Sequence, residues 1–304
     1  MKPIVGGIEA GGTKCNCVIG SSPDDIRAEI KVPTTDPQMT LGKILHFITD
    51  YENKHGKLAA IGIASFGPLD LSPASSTYGS ILSTPKPGWS FTRILGTFID
   101  ILQVPTAIDT DVNTAAFGEY CWGAARGLEN FIYLTIGTGI GGGGMINGKF
   151  MHGLTHPEMG HVGVPQDHAA DPFDGVCPFH GNCLEGLASG PALEKRWGRK
   201  AETLENDHPA WRLEAQYLGY GLVNYICTLS PEKIILGGGV MQRSHLFPLL
   251  RSEVRDRLNR YILSPMLDTR IDDYICPPEL GNKAGVYGAL ALALKEIDCL
   301  SGII

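Results

Sequence analysis

The fold is decided by PIVGGIEAGGTK at residues 3–14, where a short apolar run meets a glycine-rich turn. A similar segment, FIYLTIGTGIGGGG, stands at residues 131–144, and a third glycine run follows an apolar run in KIILGGGVM at residues 233–241. In the first two segments another apolar stretch follows the turn, and Asn147-Gly148 after the second is itself a hairpin signal. The pattern predicts two β-hairpins, one near the start of each half of the chain, and therefore two related domains.

Helical and strand-like patterns alternate around these hairpins, as in α/β proteins. They predict a strand at residues 59–65 and helices at residues 41–53, 114–125, 190–203, 210–227 and 283–297. The last helix is rich in Ala and Leu, and we expect it to pack back on the first domain. The predicted domains are a small N-terminal α/β domain at residues 1–115, joined by residues 283–304, and a larger α/β domain at residues 116–282.

Two nucleotide-binding motifs are nearly present, and each fails for a physical reason. The segment GIEAGGTK at residues 7–14 transposes the final Lys and Thr of the P-loop pattern, and a strand rather than the required helix is predicted after it. Gly137, Gly139 and Gly142 satisfy GxGxxG, yet the sequence continues GGMINGKF where a Rossmann fold needs a helix N-terminus. Both motifs are therefore rejected.

The glycine turns nevertheless suit phosphate binding. Glycine has no Cβ to keep backbone N–H groups away from phosphate oxygens, and Thr13 and Thr138 add hydroxyl donors. Two such turns could hold one nucleotide from both sides of a cleft. Either turn alone could equally be an ordinary tight hairpin, but chance is the poorer account of both together with the third glycine run.

Composition bounds the class of protein. The chain has 304 residues, 43% of them hydrophobic, which is enough for a sizeable core. Its net charge is −7 with no basic run, so a nucleic-acid partner has little support. No stretch approaches the ~18 apolar residues of a membrane span, and the apolar stretch before Glu9 is too short for a signal peptide. We expect a cytoplasmic protein with no membrane partner, whose eight cysteines are thiols or metal ligands.

The segment CPFHGNC at residues 177–183 could be a metal knuckle, half of a disulfide framework or a loop with surface thiols. In a reducing compartment zinc is the better interpretation, and zinc prefers four ligands in a tetrahedron. A closed site of four protein ligands would be structural, and a catalytic zinc is disfavoured because HPEMGH does not match HExxH. The residues alone leave several candidates for the fourth ligand, since five of the nine histidines fall between residues 152 and 180. They are His152, His156, His161, His168 and His180.

Seven segments occur in the order found in the ROK family (repressors, open reading frames and sugar kinases). They are GIEAGGTK, IGIASFGP, DTDVNTAAFGE, LTIGTGIGGG, HPEMGH, CLEGLASGPA and IILGGGV. The resemblance covers almost the whole chain and is strongest to the bacterial fructokinase branch; the order is specific, whereas each glycine run alone is weak. It implies an α/β, actin-like (ribonuclease H-like ATPase) fold, with two domains and duplicated five-stranded sheets around a central cleft for ATP and sugar.

The resemblance also implies roles for individual residues. It places the catalytic base at Asp111, which follows a predicted strand and precedes a helix, where an N-cap formed by this Asp or by Asn113 is the alternative. Glu158 and Glu185 match the sugar-hydroxyl ligands of the family, and a solvated surface pair is their alternative. His161 is counted with them as substrate-binding.

The same resemblance completes the metal and nucleotide sites. A Gly-His pair followed by a Cys-rich loop is the zinc signature of the family, which selects His161 beside Cys177, His180 and Cys183, although many members have cysteine at the position of His180. Glu9 stands where many ROK kinases have Asp, so its role toward hydrated Mg²⁺ stays open. The segments that match ATP contacts contribute Gly11, Gly12, Thr13, Lys14, Thr135, Gly137, Thr138, Gly139, Pro191, Gly237, Gly238 and Gly239.

The resemblance therefore implies a homodimeric fructokinase that uses MgATP to convert D-fructose to fructose 6-phosphate, with a structural zinc. A kinase for glucose, mannose, N-acetylmannosamine or a related N-acetylhexosamine is the alternative that the motifs do not exclude. A non-catalytic sugar-binding regulator is disfavoured because Asp111 and both phosphate turns are intact. A DNA-binding repressor is not expected, because the chain begins directly at the first hairpin with no helix-turn-helix ahead of it.

Overall fold

The computed structural model describes residues 2–298, which form two compact units. The first unit contains the described residues up to Gly127, residues 150–156, and the described residues from Glu279 onward. The second contains Leu128–Lys149 and Pro157–Pro278. The domain boundary expected between residues 115 and 116 falls inside a helix of the first unit, and the end of the expected C-terminal segment, residues 299–304, lies outside the described residues.

The first unit is built on a five-stranded sheet in the order β3-β2-β1-β4-β5. Its strands β1, β2 and β3 form an antiparallel meander, and β4 and β5 continue it in parallel with β1. The β1–β2 connection is the first predicted hairpin, and a strand follows it directly, so a P-loop is excluded. The strand bounds are Val5–Ala10 (β1), Lys14–Ser22 (β2), Asp25–Pro33 (β3), Ile61–Ser65 (β4) and Thr106–Thr110 (β5).

The second unit carries a five-stranded sheet in the order β10-β9-β6-β7-β8. Its antiparallel β6–β7 pair is the second predicted hairpin, and β9 and β10 follow in parallel with β6. The turn after β7 has Asn147 and Gly148 at φ of 51° and 69°, as the Asn-Gly hairpin signal predicts. The strand bounds are Phe131–Ile136 (β6), Ile140–Ile146 (β7), Lys149–Phe150 (β8), Lys233–Gly237 (β9) and Ile275–Cys276 (β10).

The described residues form ten α-helices and four 3₁₀ turns. The helices of the first unit are α1 (Pro37–His55), α2 (Ile94–Leu102), α3 (Asp111–Trp122) and α10 (Ala284–Glu296). Those of the second are α4 (Leu184–Ala188), α5 (Gly190–Trp197), α6 (Ala210–Leu229), α7 (Leu246–Leu258), α8 (Pro265–Asp268) and α9 (Ile271–Tyr274). The 3₁₀ turns are Met159–His161, Ala201–Thr203, Val240–Gln242 and Gly281–Lys283.

Helix α10 packs on the sheet and on α3 within the first unit. Its Ala-rich face approaches the strands so closely that a Cβ at Gly62 would lie 2.0 Å from the Ala289 carbonyl oxygen. Glycine is therefore required at this point of β4. Between residues 2 and 298, no helix has both the length and the apolar character that crossing a bilayer requires.

Candidate functional site

Four side chains of the second unit form a cluster of potential metal ligands, whose ligand atoms all lie within 4.8 Å of one another. His161 Nδ1 lies 3.7 Å from Cys177 Sγ and 3.6 Å from Cys183 Sγ, and His180 Nδ1 lies 3.6 Å from Cys177 Sγ. A tetrahedron with Zn–S of about 2.3 Å and Zn–N of about 2.0 Å has N···S edges of about 3.6 Å. The donor set selected from the sequence is thus brought together at spacings that fit zinc.

Backbone geometry explains how the loop at residues 177–183, which carries three of the four potential ligands, forms. Cys177 and Gly181 exchange two backbone hydrogen bonds, of 3.2 and 2.9 Å, and Gly181 has a φ of 64°, which favours glycine. Cys183 is the N-cap of α4. On the other side of the cluster, the 3₁₀ turn that ends at His161 lies against β7, because a Cβ at Gly160 would come within 1.9 Å of the Ile140 carbonyl oxygen. Glycine is therefore required at residue 160, directly before His161.

Two carboxylates lie beside the second ring nitrogen of His161. Its Nε2 is 4.0 Å from Glu158 Oε2 and 3.9 Å from Glu185 Oε1. Glu185 stands in the first turn of α4, and its Oε2 accepts a hydrogen bond of 2.9 Å from the Ile140 backbone N–H. Its side chain is 24% exposed, whereas that of Glu158 is 49% exposed. The elements that position the metal ligands therefore also position Glu158 and Glu185.

Three glycine-containing segments converge in the second unit. Gly137 N–H donates to the Gly139 carbonyl at 2.9 Å, and Gly190 N–H donates to the Gly137 carbonyl at 2.7 Å. A Cβ at Gly137 would lie 3.7 Å from the Gly239 nitrogen, and Gly238, with a φ of 93°, lies against β6. This places the β6–β7 turn, the start of α5 and the segment after β9 together. It gathers the predicted nucleotide residues Thr135, Gly137, Thr138, Gly139, Pro191, Gly237, Gly238 and Gly239.

Helix α5 begins at the centre of this group. Ser189 is its N-cap and accepts a hydrogen bond from the Ala192 N–H at 3.4 Å, and Pro191 lies in the first turn. The positive end of a helix dipole and its free N–H groups favour an anion. With the neighbouring glycine turns, this arrangement can bind phosphate.

The first glycine turn belongs to the other unit and is held by Thr34. Gly11 N–H donates to the Lys14 carbonyl at 3.1 Å, the Thr34 hydroxyl donates to the Gly11 carbonyl at 2.6 Å, and the Thr34 N–H donates to the Thr13 carbonyl at 3.0 Å. Gly12, Thr13 and Lys14 are exposed. The turn is thus fixed from behind while its tip is open to a ligand.

Asp111 is the first residue of α3 and directly follows β5. The N-cap is Thr110, whose hydroxyl accepts a hydrogen bond from the Asn113 N–H at 3.1 Å, so neither Asp111 nor Asn113 caps the helix. Asp111 is half-buried, and its Oδ1 accepts a 2.9 Å hydrogen bond from the Val112 N–H. Its carboxylate therefore lies at a helix N-terminus, at the carboxyl end of a parallel strand, where α/β proteins place functional groups.

Asp109, two residues earlier, was not found by the sequence analysis. This buried carboxylate accepts hydrogen bonds from the Thr110 N–H at 2.8 Å and the Asn113 side-chain amide at 2.9 Å, and lies 2.9 Å from His152 Nε2. The contact with Asp109 raises the pKa of His152, although burial opposes the shift. An Asp inside the otherwise uncharged strand TAIDT was the available signal, because a buried charge requires partners.

Glu9 lies on β1 opposite Asn16 of β2, and the Asn16 side-chain amide donates to Glu9 Oε2 at 2.6 Å. Burial raises the pKa of Glu9, and the hydrogen bond from Asn16 acts in the opposite direction. A Cβ at Gly285 would lie 2.3 Å from Glu9 Oε1, so the carboxyl group is packed against the start of α10.

Comparison with known proteins gives a consistent family. The model of the ROK family matches residues 5–296. The chain is 43% identical over 301 residues to a fructokinase of Lactococcus lactis subsp. cremoris, covering 97% of this chain and 100% of the relative. It is 43% identical over 297 residues to a fructokinase of Zymomonas mobilis, covering 96% and 97%. Among solved structures it is similar to a ROK hexokinase from Thermus thermophilus, with a TM-score of 0.77, 26% identity, and coverage of 97% and 99%.

Proposed function

This chain belongs to the ROK family, and from that membership we propose that it transfers the γ-phosphoryl group of MgATP to D-fructose, giving fructose 6-phosphate and ADP. The observation that carries the proposal is the similarity, along nearly the whole chain, to proteins that are fructokinases. The predicted actin-like α/β fold is the fold of its ROK structural relatives. We propose further that the enzyme is a cytoplasmic homodimer.

We propose Asp111 as the general base for this reaction. A sugar hydroxyl that attacks the γ-phosphoryl group must lose its proton, and a carboxylate held at a strand end can accept it. The N-cap role that competes for this residue type is already filled by Thr110. Mg²⁺, bound to the triphosphate, would neutralise charge on the transferred group.

Glu158, Glu185 and His161 are proposed to bind the other sugar hydroxyls. The two carboxylates lie at almost the same distance from His161 Nε2, which gives a sugar one donor and two acceptors in a small region. Glu185 is the less exposed of the two carboxylates, and a buried acceptor left without its hydroxyl costs about 1–3 kcal/mol, so Glu185 is proposed to contribute most to distinguishing sugars. The glycine turns of the second unit are proposed to bind ATP phosphate, because they present backbone N–H groups beside the N-terminus of α5. The turn at residues 11–14 is proposed separately to bind phosphate through the backbone N–H groups of its exposed tip.

The cluster of His161, Cys177, His180 and Cys183 is proposed to bind a structural zinc ion. Four protein donors would leave no position open for a substrate, which is the arrangement of structural sites. Zinc would fix the loop and, through His161 and the N-terminus of α4, the two substrate carboxylates.

The substrate prediction is tested with a panel of sugars at equal concentrations. We expect kcat/KM for fructose to exceed the values for mannose, glucose, N-acetylglucosamine and N-acetylmannosamine by about 10-fold to 100-fold, the scale of one or two mispaired polar contacts. ADP release measures the rate, and ³¹P NMR identifies the phosphorylated position. An Asp111→Asn preparation measures contaminating kinase activity. A larger kcat/KM for any aldose would overturn fructose as the substrate and retain a sugar kinase.

A second prediction tests the placement of Glu185. A Cβ at Gly139 would lie 2.6 Å from Glu185 Oε2, so Gly139→Ala should displace this carboxylate from the Ile140 N–H. We expect the KM for fructose to rise about tenfold, the scale of one lost polar contact. Gly163→Ala is the matched control, because a Cβ there meets nothing within 4 Å. Equal kinetics for the two variants would contradict the proposed role of Glu185.

A further inference from the structure

Residues 150–156 belong to the first unit, although the chain on both sides of them belongs to the second. Strand β8 ends at Phe150, and residues 151–156 lie in neither a helix nor a strand. Their local backbone contact is the Gly153 N–H donating to the Thr155 carbonyl at 2.8 Å. Side-chain contacts must therefore hold this segment in place, and two histidines provide them.

His152 anchors one end of the segment at β5. Its Nε2 lies 2.9 Å from Asp109 Oδ2, and the Asp109 side chain is 3% exposed. The other oxygen, Oδ1, accepts hydrogen bonds from the Thr110 N–H and the Asn113 side chain. One buried carboxylate therefore joins His152 to the first turn of α3, where Asp111 lies.

His156 anchors the other end beyond β4. It is buried, and its Nε2 accepts a hydrogen bond of 3.2 Å from the Leu69 N–H. Gly67 lies against the imidazole, since a Cβ there would be 3.3 Å from the ring. Strands β4 and β5 are parallel neighbours, so Gly67, Leu69 and Asp109 lie at the same edge of the sheet.

The residues between the two anchors are exposed, and Leu154 is fully so. Segment 150–156 therefore crosses the sheet edge that carries Asp111 and is attached on both sides of the exposed stretch. A short irregular segment that is held by two specific side-chain contacts contributes through its position at the sheet edge rather than through core packing.

We propose that His152 and His156 are positioning residues for phosphoryl transfer: they hold residues 150–156 across the carboxyl ends of β4 and β5 and fix the junction that carries Asp111. This inference rests on the proposed kinase reaction. Neither histidine reacts with the substrate. His152 acts through Asp109 on the first turn of α3, and His156 fixes the opposite end of the same segment.

The two anchors require opposite states of the same ring atom. His152 Nε2 must carry a proton to donate to Asp109, whereas His156 Nε2 must be unprotonated to accept from Leu69. Asp109 raises the pKa of His152, whereas burial and Lys295 of α10 lower it, and burial, Asp109 and Glu296 raise the pKa of the nearby Tyr78. Because the folded pKa of His152 is raised, its ionic contribution is present at low pH and is lost as the pH rises through that value.

The test compares His152→Ala with His152→Gln, whose amide can still donate to Asp109. We expect His152→Ala to lower kcat about tenfold, the scale of losing a hydrogen bond to a charged group, with KM for fructose and ATP within about twofold. His152→Gln should recover most of kcat. Because glutamine does not titrate, this variant should not show the decrease of kcat at high pH that deprotonation of His152 causes in the wild type. His46→Ala, on the exposed face of α1, is the control and should match the wild type.

Amide hydrogen exchange of residues 109–114 adds a readout that does not depend on the substrate. Exchange should be faster in His152→Ala than in the wild type and unchanged in His46→Ala. Unchanged exchange and kcat in His152→Ala would overturn the inference. If His152→Ala does not fold, a kcat–pH profile of His152→Gln that is identical to that of the wild type overturns the inference instead. A wild-type protein that does not phosphorylate fructose, while exchange responds as expected, would overturn only the proposed reaction.

Discussion

Replacing Asp111 by Asn is expected to lower kcat about 10²-fold to 10⁴-fold, which is the usual contribution of a general base. The amide keeps the size of the side chain and can still accept the hydrogen bond from the Val112 N–H, so α3 should begin at the same residue. What it loses is the ability to take the proton from the attacking sugar hydroxyl. Because that proton moves only in the transition state, KM for fructose should change by less than about threefold.

The measurement is steady-state kinetics with saturating MgATP, together with thermal unfolding of each variant. Asp50→Asn is the matched control, since Asp50 is an exposed acid of the same unit that pairs with Lys54 along α1. Removing such a surface pair should leave kcat unchanged and stability nearly so. Turnover of Asp111→Asn within about threefold of the wild type would assign the base to another residue, because general-base catalysis contributes far more than that.

The two hairpins could be predicted from the sequence because their signals are local, whereas the five-stranded sheets were expected only from the family resemblance. A glycine turn between two apolar runs specifies its own pairing, and both predicted hairpins are present as β1–β2 and β6–β7. Helix α1 extends beyond the predicted residues 41–53 at both ends, to local signals that the periodicity did not include: Asp36 caps its first turn and Gly56 follows its last. Such features need no knowledge of distant residues.

The division into units could not be predicted in this way, because it depends on distant contacts. The buried carboxylate of Glu119, in α3, accepts backbone hydrogen bonds from Ala124, Glu279 and Leu280. Two of the four points at which the chain passes between the units, after Gly127 and before Glu279, thus lie close to residues that are attached to α3. Sequence periodicity contains no signal for this attachment, and the expected boundary at residues 115 and 116 was placed inside the helix.

The candidate site likewise contains some features with local sequence signals and others that depend on distant contacts. Three of the four proposed metal ligands lie within seven residues, so their spacing indicated a metal, whereas His161 was one of four further histidines between residues 152 and 168 and needed the family resemblance. The pairing of Asp109 with His152 was missed because it joins a strand to an irregular segment far along the chain. Side-chain contacts of this kind follow from tertiary structure, and neither residue type nor spacing predicts them.

Loss of one metal ligand is expected to abolish stoichiometric zinc binding and to lower the unfolding temperature by about 10 °C. Zinc at about 1,000 times its Kd stabilises the folded state by about 4 kcal/mol, and each kcal/mol corresponds to about 2–4 °C for a domain of 150–250 residues. Cys177→Ser removes a thiolate whose sulfur lies within 3.7 Å of both ligand histidines. Serine is a poor zinc donor, so the remaining three ligands should not hold the ion.

Elemental analysis and thermal unfolding of the purified variants measure both effects, and prolonged chelation of the wild type should reproduce them without a mutation. Cys227→Ser is the matched control, because Cys227 is an exposed cysteine outside the cluster. His180→Cys should retain zinc, since a thiolate replaces an imidazole among four ligands. The KM for fructose should rise in Cys177→Ser more than KM for ATP, because His161 Nε2 lies beside Glu158 and Glu185. Stoichiometric zinc in Cys177→Ser, or wild-type protein that is purified without metal and is unaffected by added zinc, would refute the site.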